Sequence, residues 1–113
     1  MRKETLNIAL YQQDIVWEDP EANYRRVEEA FATAVGDKAL DILVVPETFN
    51  TGFGDHMARQ AEEPCGPTFD FALSMAKRYD ALFVGTWTVK VGDAVFNRLH
   101  LVHCCYLHFL HYP

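Results

Sequence analysis

The apolar run Ile42-Leu43-Val44-Val45 ends on Pro46, and Glu47-Thr48-Phe49 follow at once. Four apolar residues in succession, with no polar alternation, suit a strand covered on both faces. Proline has no N–H to give to a strand ladder, so it closes the strand. The segment therefore predicts a carboxylate, Glu47, at the carboxyl end of a buried strand. In α/β sheets, ligands and catalytic groups gather at that end.

The rest of the chain supplies a repeating order around this strand. Leu6 to Tyr11 reads as a short apolar strand. Asp19-Pro20 opens a helix, with Asp19 as N-cap and Pro20 at the first helical position. Tyr24, Val27, Phe31 and Ala34 recur at helical spacing, and Gly36 ends the helix. Asp41 to Val45 is the second strand. Asn50-Thr51-Gly52-Phe53-Gly54 is a loop by composition, and a short helix is expected over His56 to Glu62. Gly66-Pro67-Thr68 opens a further helix, whose inward stripe is Phe69, Leu73, Ala76 and Tyr79. Lys77 and Arg78 fall in its last turn, where cations favour the helix dipole. Ala81 to Thr88 and Val95 to Val102 are two more strands, joined by a turn at Gly92-Asp93. The order β-α-β-α-β-β implies an α/β fold with parallel pairing and crossovers, and an antiparallel last pair.

Composition narrows the function classes. The length of 113 residues is that of one domain, and 50% of the residues are hydrophobic, a soluble globular composition. A formal charge of -6 argues against nucleic acid as a partner, because that surface needs a basic face. No apolar stretch is long enough to span a membrane. No signal-peptide core follows Met1-Arg2-Lys3-Glu4, so a cytoplasmic location with reduced thiols is expected for the 3 cysteines.

Residues 103–113, HCCYLHFLHYP, break the pattern of residues 1–102. The stretch has no charged side chain and is rich in Cys and His. A metal-binding tract, an ordinary apolar strand and a run of shifted reading frame are the three readings, and the third is the expectation. His100, His103, Cys104, Cys105, His108 and His111 lack paired zinc-type spacing. No metal and no cofactor are expected.

Several segments together carry a resemblance: Ala9-Leu10-Tyr11-Gln12, Trp17 to Asn23, Val44 to Phe49, Thr51-Gly52-Phe53, Gly66-Pro67-Thr68 and Phe96-Asn97-Arg98. From Leu6 to about Val102 the chain resembles the amino-terminal part of the nitrilase, or carbon–nitrogen hydrolase, superfamily, and within it the omega-amidase-like branch. The resemblance implies a four-layer α-β-β-α sandwich, of which this chain supplies a part. It also implies a Glu-Lys-Cys triad in which a cysteine thiolate attacks an amide, a thioester forms, ammonia leaves and water releases the acid. Glu47 matches the family's general base. The lysine and the nucleophilic cysteine would follow the matching segment, and neither has a counterpart, so the chain is expected to be inactive alone.

Other candidates carry blander readings. Cys105-Tyr106 is similar to the start of the family's cysteine elbow, but no Lys follows Lys90, and a thiol needs a nearby base or positive charge to lower its pKa. Neither Cys104 nor Cys105 is expected to be the nucleophile. Cys65 is expected to be a passive loop thiol. Thr51-Gly52-Phe53-Gly54 lacks the third glycine or Lys-Ser/Thr pair of a phosphate cradle. Trp17 and Trp87 read as packing residues. Asn97-Arg98 reads equally as a pair that fixes a loop and as a strand start with an exposed arginine. Three function classes follow: a hydrolase of linear amides taking a small amide once its site is completed, a non-catalytic remnant that associates with copies of itself through uncovered sheet, and a flavodoxin-like small-ligand module.

Overall fold

The computed structural model describes residues 4–104 in full and residues 106–112 by their backbone. Helix α1 spans Pro20–Val35. Asp19 caps it by accepting the Ala22 N–H at 3.1 Å, and Gly36 closes it at φ 56°, a backbone state that costs glycine little. Helix α2 spans Pro67–Tyr79 and ends on Asp80, which adopts the left-handed conformation. Its N-cap, Gly66, offers no side chain, and the vacant role is filled from elsewhere (below).

Five strands form one sheet in chain order: β1 (Ile8–Leu10), β2 (Ile42–Val44), β3 (Leu82–Val91), β4 (Ala94–His103) and β5 (Tyr106–Tyr112). The first three are parallel, in the register Ile8↔Ile42↔Leu82. The last two run antiparallel, with Phe83↔Val102 and Asn97↔Tyr112. Strand–helix–strand crossovers are right-handed, and β1–β2–β3 advance in one direction across the sheet, so both helices fall on the same face.

That face holds the core. Phe31 and Tyr11 meet edge-on at 6.2 Å, Tyr24 stacks on Phe71 at 4.5 Å, and Phe71 meets Phe83 at 6.2 Å. Leu43, Phe49, Phe83, Trp87 and Val89 are all fully buried. Each such side chain contributes roughly 1.5–3 kcal/mol of hydrophobic stabilisation. Gly85 lets Val45 close the sheet, for a Cβ there would stand 2.6 Å from Val45 Cγ2.

Among the described residues, the opposite face carries no helix. Leu82, Val84 and Thr86 are half-buried where their neighbours Phe83, Gly85 and Trp87 are buried. Ile8 and Leu10 are 52% and 73% exposed. This corrects the reading of the second strand as covered on both faces: Ile42 and Val44 are only half-buried. It also overturns the flavodoxin-like alternative, which needs helices on both faces and a first strand inside the sheet.

The remaining expectations fare unevenly. The first strand is shorter than Leu6 to Tyr11. The short helix over His56 to Glu62 is absent, and a 3-10 turn at Asp55–Met57 replaces it. Glu62 instead forms an isolated parallel bridge with Val89. The third strand runs past Thr88 to Val91, because the Gly92-Asp93 hairpin keeps its ladder paired with β4. Residues 106–112 add the fifth strand, which the order β-α-β-α-β-β omits. Cys105 and the side chains of His108 and His111 lie outside what the structure describes. Among the described residues, no helix is long and apolar enough to cross a membrane.

Candidate active site

Glu47 lies beyond the carboxyl end of β2, as the sequence predicts. Its side chain is exposed and its Oε1 accepts a 2.7 Å hydrogen bond from Asn97 Nδ2. Asn97 belongs to β4, where it pairs with Thr88. It shares a sheet face with Val95, Leu99 and Leu101. Glu47 is thus presented at the helix-free face, with one carboxylate oxygen oriented by Asn97. Of the two readings of Asn97-Arg98, the loop-fixing one holds, with Asn97 as the residue that does it. Arg98 is 4% exposed, so it is not the surface arginine of the other reading.

The backbone at this point is strained. Thr48 has φ 48°, and a β-branched residue at positive φ is an outlier. Such strain, of order 1–3 kcal/mol, persists only where the surroundings over-determine it. Here they do. The Thr48 N–H donates to Thr86 Oγ1 at 2.8 Å, and the Thr48 carbonyl accepts from the N–H groups of Thr51 and Gly52 at 3.2 and 2.8 Å. The Glu18 N–H then donates to the Thr51 carbonyl at 2.9 Å.

Two buried polar knots fix the loop from behind. Asn23 of α1 is fully buried. Its Nδ2 donates to the carbonyls of Val16 and Asn50 at 2.8 and 2.7 Å, and its Oδ1 accepts from the Val16 N–H and Gln13 Nε2 at 2.7 and 3.0 Å. Every hydrogen-bonding capacity of that amide is used.

The second knot centres on Glu62. Its Oε1 accepts the Thr68 N–H at 2.8 Å, so it caps α2 in place of Gly66, with its charge at the favourable end of the helix dipole. Its Oε2 accepts from the Thr68 hydroxyl and, at 3.3 Å, from Asn50 Nδ2. With the Thr68 proton committed to Glu62, the Tyr24 hydroxyl, 2.7 Å from Thr68 Oγ1, is the donor in that pair. Burial pushes the Tyr24 phenol up to about 12, against the opposing effect of its hydrogen bond with Thr68 and with a smaller contribution from the nearby Glu62 charge. Sequence alone assigns Asn23, Asn50, Glu62 and Thr68 no role at the site. The one local signal was the bare glycine at the N-cap of α2, which demands a cap from elsewhere.

The glycine loop behaves as packing, not as a phosphate cradle. Trp17 lies across it: a Cβ at Gly52 or Gly54 would stand 2.6 or 2.8 Å from the indole. His56 is 3% exposed and meets Trp17 edge-on at 4.4 Å. Its Nε2 lies 3.1 and 3.0 Å from the carbonyl oxygens of Thr51 and Gly52; two acceptors there make it the protonated nitrogen.

The thiols sit elsewhere. Cys65 is exposed in a loop. Cys104 follows His103 beside the start of β3, whereas Asn97 and Glu47 lie near Thr88, six residues along the same strand. At ~3.3 Å per residue that is about 20 Å. Cys104 cannot give its proton to Glu47. Among the described residues, no cluster of three His, Cys, Asp or Glu ligands includes Glu47.

Comparison with known proteins agrees with this geometry. The family model for carbon–nitrogen hydrolases matches residues 7–103. An omega-amidase, YafV, of Yersinia enterocolitica is 34% identical over 98 residues, which cover 87% of this chain and 37% of the relative. The omega-amidase YafV of Escherichia coli K12 is 29% identical over 97 residues, 86% of this chain and 36% of the relative. Among solved structures, XC1258 of Xanthomonas campestris, a CN-hydrolase superfamily protein with an arsenic adduct in its active site, superposes with a TM-score of 0.83 at 30% identity, over 92% of this chain and 39% of that one. Nit3 of Saccharomyces cerevisiae, from branch 10 of the nitrilase superfamily, shares the fold at a TM-score of 0.79 and 20% identity, covering 92% of this chain and 43% of that one. The chain thus spans little more than a third of the curated relatives it matches. By sequence and fold together, it belongs to the carbon–nitrogen hydrolase family.

Proposed function

We propose that this chain is the portion of an omega-amidase-like hydrolase that supplies the general base, Glu47, for cleavage of a small linear amide. The cysteine that attacks the amide and the lysine beside it come from sequence outside these 113 residues, and the chain alone is inactive. A single observation carries the reading: the Glu47 carboxylate, held by Asn97 at 2.7 Å, faces open space on the helix-free side of the sheet. A base must lie within hydrogen-bond reach of the proton it takes, and an incoming thiol can reach only this side. The names of the relatives, both omega-amidases, support the choice of an ω-amide of a dicarboxylic acid as substrate.

In this reading Glu47 accepts the thiol proton as sulfur bonds to the amide carbon, and Asn97 keeps the carboxylate from rotating away. Copies of the chain associate through the exposed apolar side chains of the helix-free face, because uncovered apolar sheet seeks a partner. The test is ammonia release from a short ω-amide by the purified chain. No release above background is expected. Release that vanishes in Cys105→Ala would contradict the account, since the thiol would then lie within this chain.

A further inference from the structure

We propose that Asp80, His103 and Cys104 form a zinc site at the end of the sheet remote from Glu47. One donor atom from each, a carboxylate oxygen, a ring nitrogen and Sγ, lie within 4.8 Å of one another. Spacing along the chain could not show this, because the third ligand comes from a different element. The antiparallel register Phe83↔Val102 brings the residue that ends α2 beside the residues that end β4.

The donor set selects the metal. Sulfur, imidazole nitrogen and carboxylate oxygen together suit Zn²⁺, and magnesium or calcium would take oxygen alone. His103 Nδ1 and Cys104 Sγ are 3.4 Å apart. A tetrahedral zinc with bonds of ~2.1 Å to nitrogen and ~2.3 Å to sulfur places those atoms about 3.6 Å apart, so this pair is already spaced for the ion. Asp80 is exposed, and His103 and Cys104 are half-buried, so the carboxylate can swing in to complete three ligands.

The backbone favours a cation at the same place. Asp80 is the C-cap of α2, where the final carbonyls leave a partial negative charge. A carboxylate there adds to that charge, and a bound dication offsets both. Three protein ligands leave a fourth position to water. As the Zn–S bond forms, the Cys104 thiol proton leaves to solvent and His103 binds as the neutral imidazole. The ion would tie the end of α2 to the end of β4.

The test is zinc titration of the full chain by calorimetry, with cobalt as a spectroscopic stand-in. One equivalent of zinc, a rise in melting temperature that a chelator reverses, and a thiolate-to-cobalt charge-transfer band are expected. Asp80→Asn keeps the left-handed cap, which asparagine tolerates, yet weakens zinc binding about 10–100-fold, at least the effect of losing an outer-shell partner. Cys104→Ser removes the cobalt band, and Cys65→Ser changes neither. Absence of stoichiometric zinc overturns the proposal. So does binding that Asp80→Asn leaves unchanged, which would assign the ion to the Cys- and His-rich tail alone.

Discussion

The two faces of this sheet are written in the same strands, one residue apart, and have opposite fates. Phe83 and Trp87 point toward the helices and are fully buried; Val84 and Thr86, between them, are not. On the helix side, aromatic rings from β3, α1 and α2 interlock, and Arg98, paired with Trp87, is buried on the same face. On the other side, Ile8 and Leu10 are open to solvent and a carboxylate stands ready on Asn97. The contrast separates two tasks. One face holds the fold together, and the other leaves apolar side chains and the Glu47 carboxylate exposed. Right-handed crossovers running one way across the sheet produce that division, because they place both helices on one side.

The contrast can be broken by substitution. Trp87→Ala should cost the most, roughly 3–5 kcal/mol, because it empties the centre of the covered face. Chemical denaturation measures it, and a loss below about 1 kcal/mol would show that the helix side is not the core. Asn23→Ala comes next, at about 2–3 kcal/mol, because it strands buried carbonyls and N–H groups of the 13–16 and 46–51 segments. The same denaturation series gives its value, with altered near-ultraviolet circular dichroism from Trp17 as the local signature.

Tyr24 gives a smaller effect that depends on pH. Its folded pKa of about 12 lies above the unfolded value near 10. The native state therefore keeps a proton that the unfolded chain releases. That contribution, of order 2 kcal/mol, is fully present below pH 10 and is lost as pH rises through 12. Alkaline melting curves should show the loss in the wild type and a shallower one in Tyr24→Phe; identical slopes would remove Tyr24 from the account. Leu10→Ser on the open face should change the stability of dilute protein by less than about 0.5 kcal/mol, while light scattering shows weaker self-association. A large stability loss there would mean the two faces are not so different.

How far the sequence reveals this depends on distance along the chain. The helices were legible because their signals are local: Asp19-Pro20 at one start, Gly66-Pro67 at the other, and apolar stripes between. Glu47 was legible because Pro46 marks the end of its strand. The helper residues were not. Asn97 meets Glu47 across 50 positions, and only the β3–β4 register brings them together. Glu62 looked like a helical residue in a charged stretch, yet tertiary pairing with Val89 and the bare Gly66 cap draws it into a bridge. The open face of β2 was misread for a related reason. Ile42 and Val44 are as apolar as a strand covered on both sides, and nothing in their own sequence says that the second cover is missing from the described residues.

The central claim is that Glu47 on the open face is a working proton acceptor once the thiol is present. Joining residues 1–103 of this chain to the remaining carboxyl-terminal part of the Yersinia enterocolitica omega-amidase tests it directly. The account predicts ammonia release from an ω-amide by the chimera, and a fall of about 10²–10⁴-fold in kcat in its Glu47→Gln variant. A folded chimera that hydrolyses the amide equally well with glutamine at position 47 would contradict it.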